Sequence, residues 1–286
     1  MEERKIAEAQ IQPFCQYLIR EEKSAATVEK YLRDVRAFSA FIGEKTICKE
    51  AVMAYKRYLQ LKKYAVQSIN SMLASLNSLL DFLGWSDCRV KALKQQKQVY
   101  CAEEKELSRA EYMRLLQAAQ SKPRLQLVMQ TICGTGIRVS ELQFFTVEAV
   151  KHGEVVVNCK GKTRTILIPG KLRKRLLEYA QKQKIRSGAI FITRNGKPLN
   201  RSHIWAQMKA LCEEAGVTSG KVFPHNLRKL FARTFYGIEK DIAKLADILG
   251  HSSIDTTRIY IINLVLVCAE RQTLIEGAVV LPFQLT

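Results

Sequence analysis

Between Ile6 and about Leu83 the apolar residues fall at helical spacing. They run Ile6, Ile11, Phe14, Leu18; then Val28, Tyr31, Leu32, Val35, Phe38, Phe41, Ile42; then Val52, Tyr55, Tyr58, Leu59; then Ile69, Met72, Leu73, Leu76, Leu79, Leu80, Leu83. Steps of three and four put such residues on one face of a helix, so the stretch predicts about four amphipathic helices. Ser24 or Thr27 is placed to cap the second, since a short hydroxyl can accept from the unpaired amides of a first turn. Gly43 and Gly84 are placed to end the second and the fourth, where a left-handed residue is easiest for glycine.

A polar, weakly periodic segment follows from Arg89 and reads as a linker over 89–104. Ser108 and Glu111 then stand at capping-box spacing and open a new helix. Between Val147 and Ile168 the period changes from helical to two. Residues 154–158 and 164–168 alternate around the turn 159–163, which predicts a β-hairpin with lysines at its tip. Helical patterns resume over 170–184, 202–215, 226–236 and 241–249. The fold class expected is mainly α with a small antiparallel β-sheet (α+β), in two domains: a helical one over 1–88 and a second over 105–286 with a tail from about 262.

Charge narrows the partner. Forty-six Lys and Arg against twenty-seven Asp and Glu leave a formal charge of +19, a self-repulsion that a polyanionic partner relieves. That points to nucleic acid and leaves the reaction open. The linker lysines, Lys94 among them, are expected to track a phosphate backbone. Arg33, Asn70 and Asn77 are polar positions on the first domain's helices and are candidates to reach base edges. Eight cysteines occur at scattered positions, with no CxxC pair or zinc-ligand spacing. They read as reduced core residues, so a reducing compartment is expected, with no metal and no cofactor. The N-terminus lacks the apolar stretch of a signal peptide, and the longest apolar run is too short to span a bilayer. The expectation is a cytoplasmic, bacterial protein with no membrane partner.

The chemistry concentrates in the second half. Gly136-Ile137-Arg138-Val139-Ser140-Glu141-Leu142 is followed by Phe223-Pro224-His225-Asn226-Leu227-Arg228, by Leu249-Gly250-His251 and by Thr256-Thr257-Arg258-Ile259-Tyr260. Guanidiniums suit the oxygens of a phosphodiester under attack, because negative charge builds there as phosphorus becomes five-coordinate. His225 and Arg228, three residues apart at the start of a helix, can reach one phosphate. A histidine titrating near neutrality suits proton transfer. A phenol is a weak nucleophile unless it sheds its proton beside positive charge.

These motifs, in this order, resemble the tyrosine recombinases, the family of phage-type integrases and Xer- and Cre-like recombinases, over about residues 1–260. The resemblance implies an N-terminal helical core-binding (SAM-like) domain and a C-terminal catalytic domain. It implies Arg138 and Arg228 as phosphate clamps, His225 as general acid or base, His251 as a donor to the phosphate, and Tyr260 as the nucleophile of a 3′-phosphotyrosyl intermediate. Lys160 matches the hairpin lysine that protonates the leaving 5′ oxygen, and Lys162 is its rival and a candidate DNA contact. Glu141 is expected to brace its helix, and Lys229 stands where many relatives carry a second histidine. The implied partners are double-stranded DNA, further copies in a homotetramer on two DNA sites, and an accessory directionality factor. The implied process is integration or excision of a mobile element or a related rearrangement, independent of metal and ATP. A non-catalytic or impaired DNA-binding relative is the alternative. The apolar tail, which includes Leu264-Val265-Leu266-Val267, reads either as an element that docks on a neighbouring protomer or as an altered C-terminus that weakens assembly.

Overall fold

A computed structural model describes residues 4–6, 8–94, 105–159, 162–193 and 195–261 of the chain. The chain divides into two compact units, Met1–Lys97 and Gln98–Thr286. The tail from 262, with both of its readings, lies outside the described residues.

The first unit holds α1 (Glu8–Arg20), α2 (Ala25–Ile42), α3 (Lys49–Leu61) and α4 (Val66–Phe82). The helical periodicity becomes its core. Phe14, Leu18, Val35, Phe38, Leu59, Leu73, Leu76 and Leu79 are all buried. Of the two capping candidates the fold uses Ser24, whose hydroxyl accepts from the amide of Thr27. Asp34 is buried inside this unit, where it accepts from Ser75 at 2.9 Å and pairs with Lys30 at 2.8 Å, which offsets the cost of removing the carboxylate from water.

Asn70 and Asn77 are engaged with the chain's own backbone. The amide of Asn70 donates to Leu93 O at 3.0 Å and accepts from Leu93 N at 2.7 Å. Asn77 brackets Val90 in the same way, at 2.9 and 3.2 Å. Both ends of each amide are committed to the main chain that leaves α4, so the two asparagines pin that segment along the helix. Arg33 is exposed, with Nε 3.9 Å from Asp34, and Lys94 is exposed on the pinned segment.

The second unit opens with α5 (Arg109–Ala118), whose N-terminus carries the expected capping box of Ser108 and Glu111. It continues with α6 (Pro123–Thr135), α7 (Val147–His152), the antiparallel hairpin β1 (Glu154–Cys159) and β2 (Lys162–Leu167), then α8 (Gly170–Lys182), α9 (Arg201–Lys209), α10 (Pro224–Glu239) and α11 (Ile242–Leu249). A further helix covers 254–261. The hairpin register runs from Glu154↔Leu167 to Cys159↔Lys162, so pairing reaches closer to the tip than the five-residue turn expected from sequence.

Val155, Val157 and Ile166 face the core with residues of α6, α7 and α8. Pro224 opens α10, two residues earlier than the apolar pattern alone suggests. Proline has no amide to satisfy there, and its ring already holds a helical φ. Among the described residues no helix is long and apolar enough to cross a membrane.

Candidate active site

The site forms where α6, α10 and α11 end or begin against one another. Gly136 terminates α6 in the left-handed region at φ 67°. A Cβ there would collide with the ring of Phe231 on α10 and come within 3.0 Å of Leu249 on α11. Glycine therefore serves both the turn and the close approach of three helices. Arg138 caps a six-residue 3-10 turn, Val139–Phe144, so the helix that Glu141 was expected to brace is this short turn.

Glu141 organises the turn. It is 1% exposed, accepts from the main-chain N of Arg138 at 2.7 Å and from Arg138 Nη1 at 3.0 Å, and takes Nη2 of Arg164 at 2.6 Å. Arg164 lies on β2 and also donates to Leu249 O. The C-terminus of α11 thus becomes a collecting point for guanidiniums: Leu249 O accepts from Arg164 and from Arg228 Nη2, the latter at 2.7 Å, and Gly250 O accepts from Arg138 Nη2 at 3.3 Å. The negative end of a helix dipole and its unpaired carbonyls suit this role.

Arg228 is the most enclosed of these cations, at 2% exposure. It donates to Gly136 O, Leu249 O and His251 Nε2. Burial, then repulsion from Arg138, lowers its pKa to about 10, while the nearby Tyr260 phenol opposes that shift. It stays charged at neutral pH.

His225 sits in the first turn of α10, and His251 follows the left-handed cap Gly250. Burial pulls His225 down to about 4, aided by the charges of Lys229, Arg228, Arg201 and Arg138. Burial likewise pulls His251 down to about 4, with Arg228, Arg138, Arg164 and His225 contributing. Both rings are therefore neutral near pH 7 and able to accept a proton.

Tyr260, 7% exposed, packs with Ala232, Leu245, Leu249 and Ile261. Its ring lies between the two histidines, with centroids 5.2 Å from His225 and 5.0 Å from His251. A cleft of about 540 Å³ beside them is lined by Arg138, His225 and Arg228 together with Arg201, Trp205 and Lys209 of α9.

Five residues separated by up to 122 positions in sequence, Arg138, His225, Arg228, His251 and Tyr260, are thus brought to one place. Lys160 lies outside the described residues. Lys162 is the first residue of β2. Lys229 and Arg201 contribute positive charge at His225. Sequence reading passed over Arg164 and Thr257, whose buried hydroxyl lies 2.9 Å from His251 Nδ1. Arg164 had a signal: it shares the inward face of β2 with Ile166 and pairs with the buried Val157, a position where an arginine must find partners.

The chemical capacity of this arrangement is to hold a phosphodiester against converging guanidiniums, with a phenol and two neutral imidazoles beside it.

Comparison with known proteins is in line with that geometry. Residues 105–264 match the phage integrase family, and residues 11–87 match the phage integrase N-terminal SAM-like domain. The chain is 28% identical over 268 residues to tyrosine recombinase XerA of Pyrococcus furiosus, covering 91% of each protein. It is 26% identical over 281 residues to tyrosine recombinase XerC of a Roseiflexus species, covering 88% of each. Among solved structures, a lambda integrase tetramer bound to a Holliday junction is similar with a TM-score of 0.71 at 17% identity, over 88% of this chain and 76% of that one. XerH bound to its difH substrate in a pre-cleavage complex gives 0.68 at 17% identity, over 89% and 82%.

Proposed function

The chain belongs to the phage integrase family and is a tyrosine-type site-specific recombinase, and from that premise we propose that it cleaves and rejoins DNA strands through a 3′-phosphotyrosyl intermediate on Tyr260. One observation carries the reading: the Tyr260 ring lies beside two imidazoles that are neutral at pH 7, close enough to the buried Arg228 for its phenol to oppose the lowering of that arginine's pKa. A phenol so placed attacks phosphorus while its negative charge is met by a fixed cation.

Arg138 and Arg228 hold the nonbridging oxygens. As the Tyr260 oxygen bonds to phosphorus, the bond from phosphorus to the 5′ oxygen breaks, and the phenol proton passes to His225. The leaving 5′ oxygen takes a proton from Lys160. One phosphoester replaces another, so the reverse attack by a 5′-hydroxyl of a second strand rejoins DNA without ATP or a cofactor. The partners in this proposal are double-stranded DNA, three further copies in a tetramer on two DNA sites, and an accessory directionality factor. The process is integration or excision of a mobile element or a related rearrangement, and the compartment is the cytoplasm. The domain limits proposed are 1–88, 89–104 and 105–286.

The experiment is a nicked suicide substrate, built from sequences flanking the gene and incubated in EDTA with wild-type protein or Tyr260→Phe. A covalent protein–DNA band with wild type alone supports the reading. DNA binding without an adduct on any flanking site replaces it with a non-catalytic DNA-binding role.

A further inference from the structure

His251 is held at both ring nitrogens. Its Nε2 lies 3.0 Å from Arg228 Nη2, and its Nδ1 lies 2.9 Å from the hydroxyl of Thr257. A guanidinium has donors and no acceptor, so Nε2 must be the acceptor in the first contact. A neutral imidazole carries one proton. It therefore resides on Nδ1 and is donated to Thr257 Oγ1. Thr257 is fully buried, so the solvent does not compete for that proton.

We propose that Thr257 is a positioning residue that fixes the tautomer of His251, leaving Nε2 as the unprotonated nitrogen that faces Arg228. The inference rests on the recombinase reading for its catalytic consequence. Thr257 stands three residues before Tyr260 on the same helix, which puts both side chains on one face. Docking the helix that bears the phenol and setting the proton on His251 are thus one structural event. Arg228 favours this tautomer from one side, and the hydroxyl satisfies it from the other; without that acceptor the Nδ1 proton is buried with no partner, which weakens the preference. The alternative Nε2–H tautomer aims a donor at the Arg228 guanidinium, which turns the ring or displaces the cation.

The test uses the full chain labelled with nitrogen-15 at histidine. The four histidines, His152, His203, His225 and His251, are separable by single His→Gln variants. Imidazole nitrogen shifts at neutral pH report which nitrogen of His251 is protonated, in the wild type, in Thr257→Val, which keeps the side-chain shape without the hydroxyl, and in Thr257→Ser, which restores it. The expected result is an Nδ1 proton in wild type and Thr257→Ser and a shift toward Nε2–H in Thr257→Val. Adduct formation should fall about 10- to 100-fold in Thr257→Val, the usual loss when a partner orienting a histidine is removed, and be largely recovered in Thr257→Ser.

A wild-type His251 protonated on Nε2 overturns the proposal, as does an unchanged tautomer in Thr257→Val. If Thr257→Val does not fold, Thr257→Ala takes its place as the variant without the hydroxyl, and an unchanged tautomer there overturns the proposal. A shift toward Nε2–H in Thr257→Val, with a wild type that forms no adduct, upholds the role of Thr257 and sinks the phosphotyrosyl reading instead.

Discussion

Arg164 Nη2 donates to Glu141 Oε2 at 2.6 Å and ties β2 to the turn that carries Arg138. The same carboxylate also holds the Arg138 guanidinium, so one buried acid sets the spacing of two cations that come from distant parts of the chain. An arginine on a phosphate oxygen is useful only if its fork is already aimed. Glu141 supplies that aim from a buried position.

Glu141→Ala should destabilise the protein by about 3 kcal/mol, the lower end of the range for leaving buried charge unpaired, because Arg138 is 39% exposed and can be rehydrated. Urea denaturation measures the loss, and the adduct assay should show cleavage falling with it. A variant as stable as wild type would show that the bridge is not a structural tie.

Gly250 and Gly84 both adopt positive φ, at 63° and 74°, yet they should respond differently to alanine. Nothing lies within 4 Å of a Cβ at Gly84, whereas a Cβ at Gly250 runs into the Arg164 guanidinium. Gly84→Ala should cost about 1 kcal/mol from backbone strain alone. Gly250→Ala should cost more and also abolish adduct formation, since it displaces the arginine that spaces the clamp. Equal melting temperatures for the two variants would refute this contrast.

The depressed histidines have a consequence for stability. His225 and His251 have a folded pKa near 4 against an ordinary value of 6.5. Between those values the unfolded chain binds protons that the folded site refuses, so stability rises with pH across the window and is lost as pH falls from about 6.5 to about 4. The double variant His225→Gln/His251→Gln should flatten the melting-temperature profile over that window. Parallel profiles for variant and wild type would contradict the assignment.

Asn70→Ala and Asn77→Ala should each cost about 1 to 2 kcal/mol, because each strands main-chain groups of the segment they bracket. Neither should change which DNA sequence is preferred. A shift in sequence preference with unchanged stability, read from binding to a randomised DNA pool, would restore them as base readers.

Much of this was legible from residue order. Apolar spacing in 1–83 marked the four helices because each must bury one face, and the same residues, Phe14, Leu18, Phe38, Leu76 and others, form the core. The switch to period two marked the hairpin for the same reason. Arg138, His225, Arg228, His251 and Tyr260 were identifiable because each lies in a distinctive short motif, and the fold gathers all five. The backbone contacts of Asn70 and Asn77 were not legible, because an amide on a helix looks alike whether it faces DNA or a returning stretch of main chain. What it bonds is decided by where residues 90–93 run.

Residue order alone therefore determined the helices, the hairpin and the candidates for the site, since these follow from local spacing and side-chain chemistry. Only the tertiary structure decided that Arg164 joins Glu141, that three guanidiniums meet the carbonyls ending α11, that burial lowers both histidines, and that the Thr257 hydroxyl meets Nδ1 of His251. Each of these depends on distance and on exclusion of water between groups far apart in sequence, and neither quantity exists until the chain has closed.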